Sequence, residues 1–178
     1  MKDNSDRTPE SLSSDSPLHP HEVMRSVYQA MEFNFDEEDG AFHLRIKLEN
    51  MDVEVISWGV PEDLATILVR LPVRATPKFR AQAGEFLHRL NFSSKRKFWE
   101  MDYNDGEIRM VGYTDTINGP LTEELFREIF KFMVTTVDTV FPYLANVISG
   151  GMKPDFAADQ ADAALLSYWN KTEETEEE

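Results

Sequence analysis

Residues 76–114 read TPKFRAQAGEFLHRLNFSSKRKFWEMDYNDGEIRMVGYT, and their apolar spacing changes from a helical period to a strand period. Apolar residues at helical spacing from Phe79 to Leu90 predict a helix over 76–91, with Thr76 as its N-cap. Two alternating stretches follow within 96–114, joined by Asn104-Asp105-Gly106, which is a strong hairpin signal. This part of the chain therefore predicts a helix packed on an antiparallel sheet, and it contains no recognisable reaction chemistry.

The region before this stretch shows the same two kinds of pattern. A helical period over 21–33, with Pro20 near its start, predicts a first helix. The acidic run 36–40 (DEEDG) indicates a turn, and Pro72 and Pro77 mark a break before the next helix. Three stretches of apolar residues with short links predict an antiparallel meander, namely 42–48, 53–58 and 64–71.

The region after the hairpin is helical in pattern. A broad apolar stripe over 121–149 predicts a long helix that Pro142 kinks or splits near residue 141, and Gly150-Gly151 ends it. A shorter amphipathic pattern then predicts a last helix. The expected organisation is a disordered tail over 1–18, an α+β domain over 19–154, an amphipathic helix over 155–170 and an acidic tail over 171–178.

Composition restricts the classes of function. The formal net charge is −15, and an acidic chain of this kind repels phosphate backbones, so we expect no nucleic-acid partner. The chain has no cysteine, which excludes disulfides and thiolate metal sites. The N-terminus lacks the pattern of a signal peptide, and no window reaches the ~20 apolar residues of a bilayer span. We therefore expect a soluble, cytoplasmic protein that does not bind a membrane.

Few residues suggest catalysis or metal binding. His19 and His21 are the nearest approach to a metal site, but residues two apart cannot share a helix face, and they are more simply explained as residues at the start of a helix. The chain contains none of the usual phosphate-binding, zinc-protease or nucleophile motifs. The prediction is a protein without a metal, a cofactor or catalytic residues, and thus not an enzyme.

Positive charge is concentrated in one segment. From Leu64 to Trp99 there are eight basic residues and a single acidic one, Glu85, which gives a local charge of +7. Such charges commonly form a solvated surface that pairs with acidic neighbours. The other interpretation is a partner-binding surface, and its predicted residues are Arg89, Lys95, Arg96 and Lys97.

The stripe on 121–149 is wider than one contact with a sheet requires, because it extends around the helix to Phe132 and Val134. An apolar surface of this size must be covered on both sides. Either the last helix folds back over it, or a second subunit covers it. The second interpretation predicts a homodimer whose interface contains Phe126, Phe130, Met133 and Val137.

The predicted order is α-β-β-β-α-β-β-α with one additional helix, and in this respect the chain resembles the YbjN-domain family of bacterial proteins, described as candidate regulators of sensory transduction. The segments that carry the resemblance are 87–92 (LHRLNF), 98–102 (FWEMD), 104–109 (NDGEIR) and 141–154, which begins FPY and ends GGMKP. By element order the resemblance covers residues 20–155. It implies a secretion-chaperone-like fold of the kind that chaperones use as dimers, and it implies no catalytic residues.

Together these observations predict a non-enzymatic domain that binds another protein in a chaperone-like or regulatory role. Two alternatives stay open. The first is a dedicated secretion chaperone whose substrate wraps around an exposed apolar strip. The second is a sensor of a small molecule or phosphate ligand that uses the basic segment 70–97.

Overall fold

The computed structural model describes residues 19–60, 64–93, 97–115 and 119–176. The predicted disordered tail over 1–18 lies outside these residues. The chain forms an antiparallel sheet with helices packed on it, so the predicted α+β class is confirmed. In chain order the elements are α1 (Pro20–Ala30), β1 (Phe35–Glu38), β2 (Ala41–Lys47), β3 (Asp52–Val60), β4 (Leu64–Arg74), α2 (Arg80–Ser93), β5 (Lys97–Met101), β6 (Glu107–Asp115), α3 (Glu123–Ser149) and α4 (Pro154–Glu176).

The sheet has six strands in the order β1-β2-β3-β4-β6-β5, and every neighbouring pair is antiparallel. The predicted meander and hairpin therefore belong to one sheet. The prediction of a turn over residues 36–40 is wrong in its first half, because Phe35–Glu38 forms β1 and pairs with β2. Asp and Glu have low strand propensity, and hydrogen bonding to β2 overrides that propensity here.

Alternate residues of each strand form the inner face of the sheet, where the core lies. Phe42, Val55, Ile67 and Met110 are inner-face residues of β2, β3, β4 and β6, and all four are buried. Gly112 is also on this face, and an added Cβ there would lie 2.5 Å from Sδ of Met133 on α3. The glycine therefore allows α3 to approach the sheet closely.

The helix α1 packs on this inner face through its own buried side. Its N-cap is His19, whose ring accepts a hydrogen bond from the His21 amide at 3.2 Å. The Tyr28 hydroxyl bonds to the Ser57 hydroxyl of β3 at 2.8 Å, and both groups are buried. Burial raises the pKa of the Tyr28 phenol far above its ordinary value. The pair satisfies two polar groups inside an otherwise apolar layer.

The helix α2 begins four residues later than its predicted start. Residues 76–79 form a turn closed by a hydrogen bond of 2.9 Å from the Phe79 amide to the Thr76 carbonyl. The Arg80 side chain then donates to the carbonyl oxygens of Ala75 and Tyr103. These bonds tie the start of α2 to the β5–β6 hairpin. The predicted N-cap and first-turn proline therefore belong to the turn before the helix.

The helix α3 is continuous over 27 residues, so of the predicted kink or split near residue 141 the split is wrong, and the kink stays a prediction. Pro142 lies inside the helix and cannot donate to the Asp138 carbonyl. The side chain of Asn50, in the β2–β3 turn, donates to that carbonyl at 3.3 Å. The backbone amide of Asn50 donates to the Asp138 carboxylate at 2.9 Å. A side chain from another element thus replaces part of the bonding that proline removes. The predicted end at Gly150, which has φ 80°, is confirmed.

By length and composition alone α3 could cross a bilayer, and among the described helices it is the one that meets this test. The contacts of α3 are those of a core helix. Eight of its residues are buried, and they face α1, the sheet and α4.

The helix α4 packs on α2 and α3 rather than on the sheet. It does so mainly through Ala157, Ala158 and Ala161, which are buried. It continues to Glu176, beyond the predicted boundary at 170, so the start of the predicted acidic tail is helical. Glutamate is a good helix former, and the helix already exists when the tail begins.

Candidate functional site

The outer face of the sheet carries apolar side chains in two neighbouring rows across the strands. In one row the register aligns Ile56, Leu68, Val111 and Phe98, which lie on β3, β4, β6 and β5. In the other row it aligns Trp58, Thr66 and Tyr113. We call these seven residues the outer band. They occupy strand positions that would be polar if only the inner face were buried.

The outer band is separate from the core. Leu68 and Val111 are buried, at 8% and 3% exposure, yet they do not belong to the core cluster under the helices. Phe98 and Tyr113 are 41% and 42% exposed. The helices pack on the inner face, and within the described residues no element covers the outer one. The outer band is therefore an apolar surface that the packing of the helices does not require.

A row of charged residues, which we call the charge ladder, lies beside the outer band. Its members on β3, β4, β6 and β5 are Glu54, Arg70, Arg109 and Glu100, aligned by the register. Arg70 bonds to Glu54 at 2.5 Å, and Arg109 bonds to Glu100 at 2.9 Å. Glu107 lies between the two arginines, at 3.4 Å from Arg70 and 3.8 Å from Arg109. The charges compensate one another, so the ladder has no strong net sign.

Both apolar rows end at acidic residues of β1. Asp36 is aligned with His43, which is aligned with Ile56, and Glu38 is aligned through β2 with Trp58. Asp36 and Glu38 are exposed and line a depression of about 460 Å³, whose other charged or titratable residues are His43, Arg45 and Glu54. We call these two carboxylates the acidic end of the outer band.

Both edges of the sheet are unfavourable places for a further strand. On β5, the Asn91 side chain of α2 donates to the Trp99 carbonyl at 2.8 Å and accepts from the Trp99 amide at 2.7 Å. The carboxamide thus occupies the backbone groups that an added strand would use. On the other side, β1 is four residues long and three of them are acidic. Short, charged edge strands disfavour pairing with another chain.

Of the predicted partner-binding residues, Arg89 is the one whose side chain is described. It lies on α2 and bonds to Glu85 one turn earlier, at 2.8 and 3.0 Å. Lys95 and Arg96 lie outside the described residues, and only the backbone of Lys97 is described. A partner surface at these four residues stays a prediction.

The basic segment as a whole does not form one described surface. Arg70 and Arg74 lie on β4 and pair with acidic residues, Arg70 with Glu54 and Arg74 with Asp105 and Glu107. Arg80 and Arg89 lie on α2, which packs on the other side of the sheet. The depression beside Arg70, about 420 Å³, is lined by residues of both signs. The described arginines of the segment 70–97 therefore do not converge on one site.

The residues predicted for the dimer interface are inside the chain. Phe126, Phe130, Met133 and Val137 are at most 1% exposed, and Phe126 and Phe130 contact the Tyr28 ring. This assignment is corrected, because side chains that are already buried by α1 and the sheet cannot contact a second subunit. A homodimer through another surface stays a prediction.

On its other side α3 is covered in part by α4. The Phe132 and Trp169 rings stack with their centroids 4.9 Å apart. Of the two interpretations of the wide stripe, this contact supports the last helix folding back.

The carboxyl of Asp162 lies on α4, on the side that faces α2. Burial and the nearby Asp159 raise the pKa of Asp162.

The described residues contain no group of three or more histidine, aspartate or glutamate side chains arranged to bind a metal ion. His21 instead bonds to Glu37 at 2.8 Å and stacks on Phe42 at 4.4 Å. Its role is thus to connect α1 with β1 and β2.

Sequence reasoning did not identify the outer band. A signal was present in β4, because Ile67, Leu68 and Val69 form a continuous apolar run rather than an alternating pattern. A continuous run of this kind places apolar side chains on both faces of a sheet. Ile56 and Trp58 likewise occupy the polar phase of β3.

No protein-family model matches the chain, and no curated protein matches it. Five chains of solved structures match. One is the crystal structure of YbjN from E. coli, described as a candidate transcription regulator. The likeness covers 75% of this chain and 92% of that chain, with 16% identity and a TM-score of 0.52. The chain therefore has a fold similar to that of YbjN.

Proposed function

We propose that the chain is a non-enzymatic domain that binds another protein, in a chaperone-like or regulatory role, through the outer band. The observation that carries the proposal is the apolar row on the face opposite to the helices, in which Leu68 and Val111 are buried, Ile56 is half-buried, and the neighbouring rings of Phe98 and Tyr113 are exposed. Contiguous apolar patches on protein surfaces commonly mark binding sites, and aromatic residues contribute strongly to such interfaces.

The test compares capture by the full chain with capture by two variants. Phe98→Ser combined with Tyr113→Ser removes both exposed rings of the outer band without changing charge. Phe156→Ser is the matched control, because Phe156 is 55% exposed but lies on α4. Thermal unfolding should first show that both variants fold.

Each protein is used to capture proteins from the native cell, and mass spectrometry identifies them. The proposal requires at least one protein that binds the wild type and the control but is lost with the double variant. It also requires that the purified partner bind the double variant at least tenfold more weakly. An identical set of captured proteins for all three chains would contradict the proposal.

A further inference from the structure

The structure also indicates which kind of segment fits the outer band, and this inference rests on the proposed function. We propose that the occupant is an amphipathic helix of a partner protein that lies across the strands and has basic residues at one end, over Asp36 and Glu38. The following four observations support this assignment.

The first observation is that an added strand has no favourable place. Asn91 already occupies the backbone groups of Trp99 on the β5 edge. The β1 edge is short and acidic. A partner therefore binds the face of the sheet rather than an edge.

The second observation concerns backbone hydrogen bonds. The strands that carry the outer band pair with each other, so their face offers side chains and few free backbone groups. A segment that covers this apolar face must satisfy its own amides and carbonyls, since unpaired buried backbone groups are costly. An α-helix satisfies them within itself.

The third observation is the length and polarity of the surface. The row from Ile56 to Phe98 crosses three strand spacings, about 14 Å, and the distance from Asp36 to Phe98 is five spacings, about 24 Å. At 1.5 Å per residue, a helix of about 16 residues spans this length. The last nine or ten residues of this helix would carry its apolar face and lie over the row from Ile56 to Phe98. Its basic residues would lie at the other end, over Asp36 and Glu38.

The fourth observation disfavours a second copy of the chain as the occupant. Two copies would bring together two chains that each have a net charge of −15, and like charges repel. The acidic charge of the chain attracts a basic segment, whereas it repels a second copy.

The test uses three synthetic 16-residue peptides of leucine, alanine and lysine. The first has its leucines at helical spacing and its lysines at one end. The second has the same composition with leucines at alternate positions. The third is the first with glutamate in place of lysine. Binding to the full-length protein is measured by fluorescence anisotropy, and amide chemical shifts identify the surface.

We expect the first peptide to bind with a Kd at least tenfold lower than that of the other two. Asp36→Lys combined with Glu38→Lys should weaken the first peptide and strengthen the third, each by at least tenfold. The matched control, Glu49→Lys with Glu128→Lys, makes the same change in net charge at exposed positions elsewhere. This control should still bind the first peptide more tightly than the third.

Three results would overturn the inference. The first is tighter binding of the alternating peptide than of the helical one, and the second is an Asp36 and Glu38 variant that keeps the affinities of the wild type for the first and third peptides. The third is a Phe98 and Tyr113 variant that binds the first peptide as tightly as the wild type does. The capture experiment is independent of these peptides. If native partners are lost with the Phe98 and Tyr113 variant while no peptide binds as expected, the proposed function survives and the helical occupant does not.

Discussion

The two faces of the sheet differ in what their apolar residues do. On the inner face, Phe42, Val55 and Met110 are buried under α1 and α3 and belong to one core. On the outer face, Leu68 and Val111 are also buried yet lie outside that core, and Phe98 is exposed. The inner pattern is accounted for by folding alone. Folding alone does not account for the outer pattern. This difference favours the outer face as the binding surface.

The largest expected effect compares a residue of each kind. Phe130→Ala removes a ring that packs under the inner face at 1% exposure, and it should lower the free energy of unfolding by about 3–5 kcal/mol. Phe98→Ala should lower it by only about 1–2 kcal/mol, because the ring is 41% exposed. Urea denaturation measures both. Equal losses would show that the outer band belongs to the stabilising core.

An intermediate effect is expected at the buried polar pair of the inner face. Tyr28→Phe leaves the Ser57 hydroxyl without its partner at 2.8 Å and should lower the free energy of unfolding by about 1–3 kcal/mol. Adding Ser57→Ala should recover part of this loss, because no unpaired hydroxyl then remains. Urea denaturation of the single and double variants measures the coupling. A double variant as unstable as the sum of the single changes would show that the two hydroxyls are independent.

The smallest effect is a pH dependence at Glu37, where β1 meets α1. Hydrogen bonding from His21, with a contribution from Arg25, lowers the pKa of the Glu37 carboxyl below its ordinary value. A lowered folded-state pKa adds stability above the ordinary pKa, and this stability is lost as the pH falls through the folded value. Glu37→Gln should therefore lower the melting temperature at pH 7 and reduce its decline below about pH 5. The same decline of melting temperature at acid pH in the variant and in the wild type would contradict this prediction.

Most of the fold could be predicted from apolar spacing. The alternation in β2 and the hairpin signal at Gly106 identified strands, and the stripe on α3 identified the central helix. The strand β1 was missed because its residues are acidic, and pairing with β2 is a tertiary effect that local propensity does not contain. Pro142 lies within a continuous α3, and Asn50, 88 residues away, donates to the Asp138 carbonyl that proline leaves without its helical donor.

The surface was harder to predict than the fold. Charge density predicted a partner surface at Arg89 and its basic neighbours, which stays a prediction, and Arg89 pairs with Glu85 on its own helix. The width of the α3 stripe suggested a second subunit, but a sequence does not show which side of a helix another part of the same chain covers. Register decides which side chains are neighbours on a sheet, and it becomes visible only when the strands are paired.

The bonding at Pro142 has a consequence for local motion. Asn50 lies in the β2–β3 turn and its two hydrogen bonds to Asp138 connect that turn to the middle of α3. Hairpin turns ordinarily open at low free-energy cost, independently of the core. Here, opening either segment breaks the same two bonds. In native-state hydrogen exchange we therefore expect the amides of this turn and those of α3 around Asp138 to become accessible in one shared opening event.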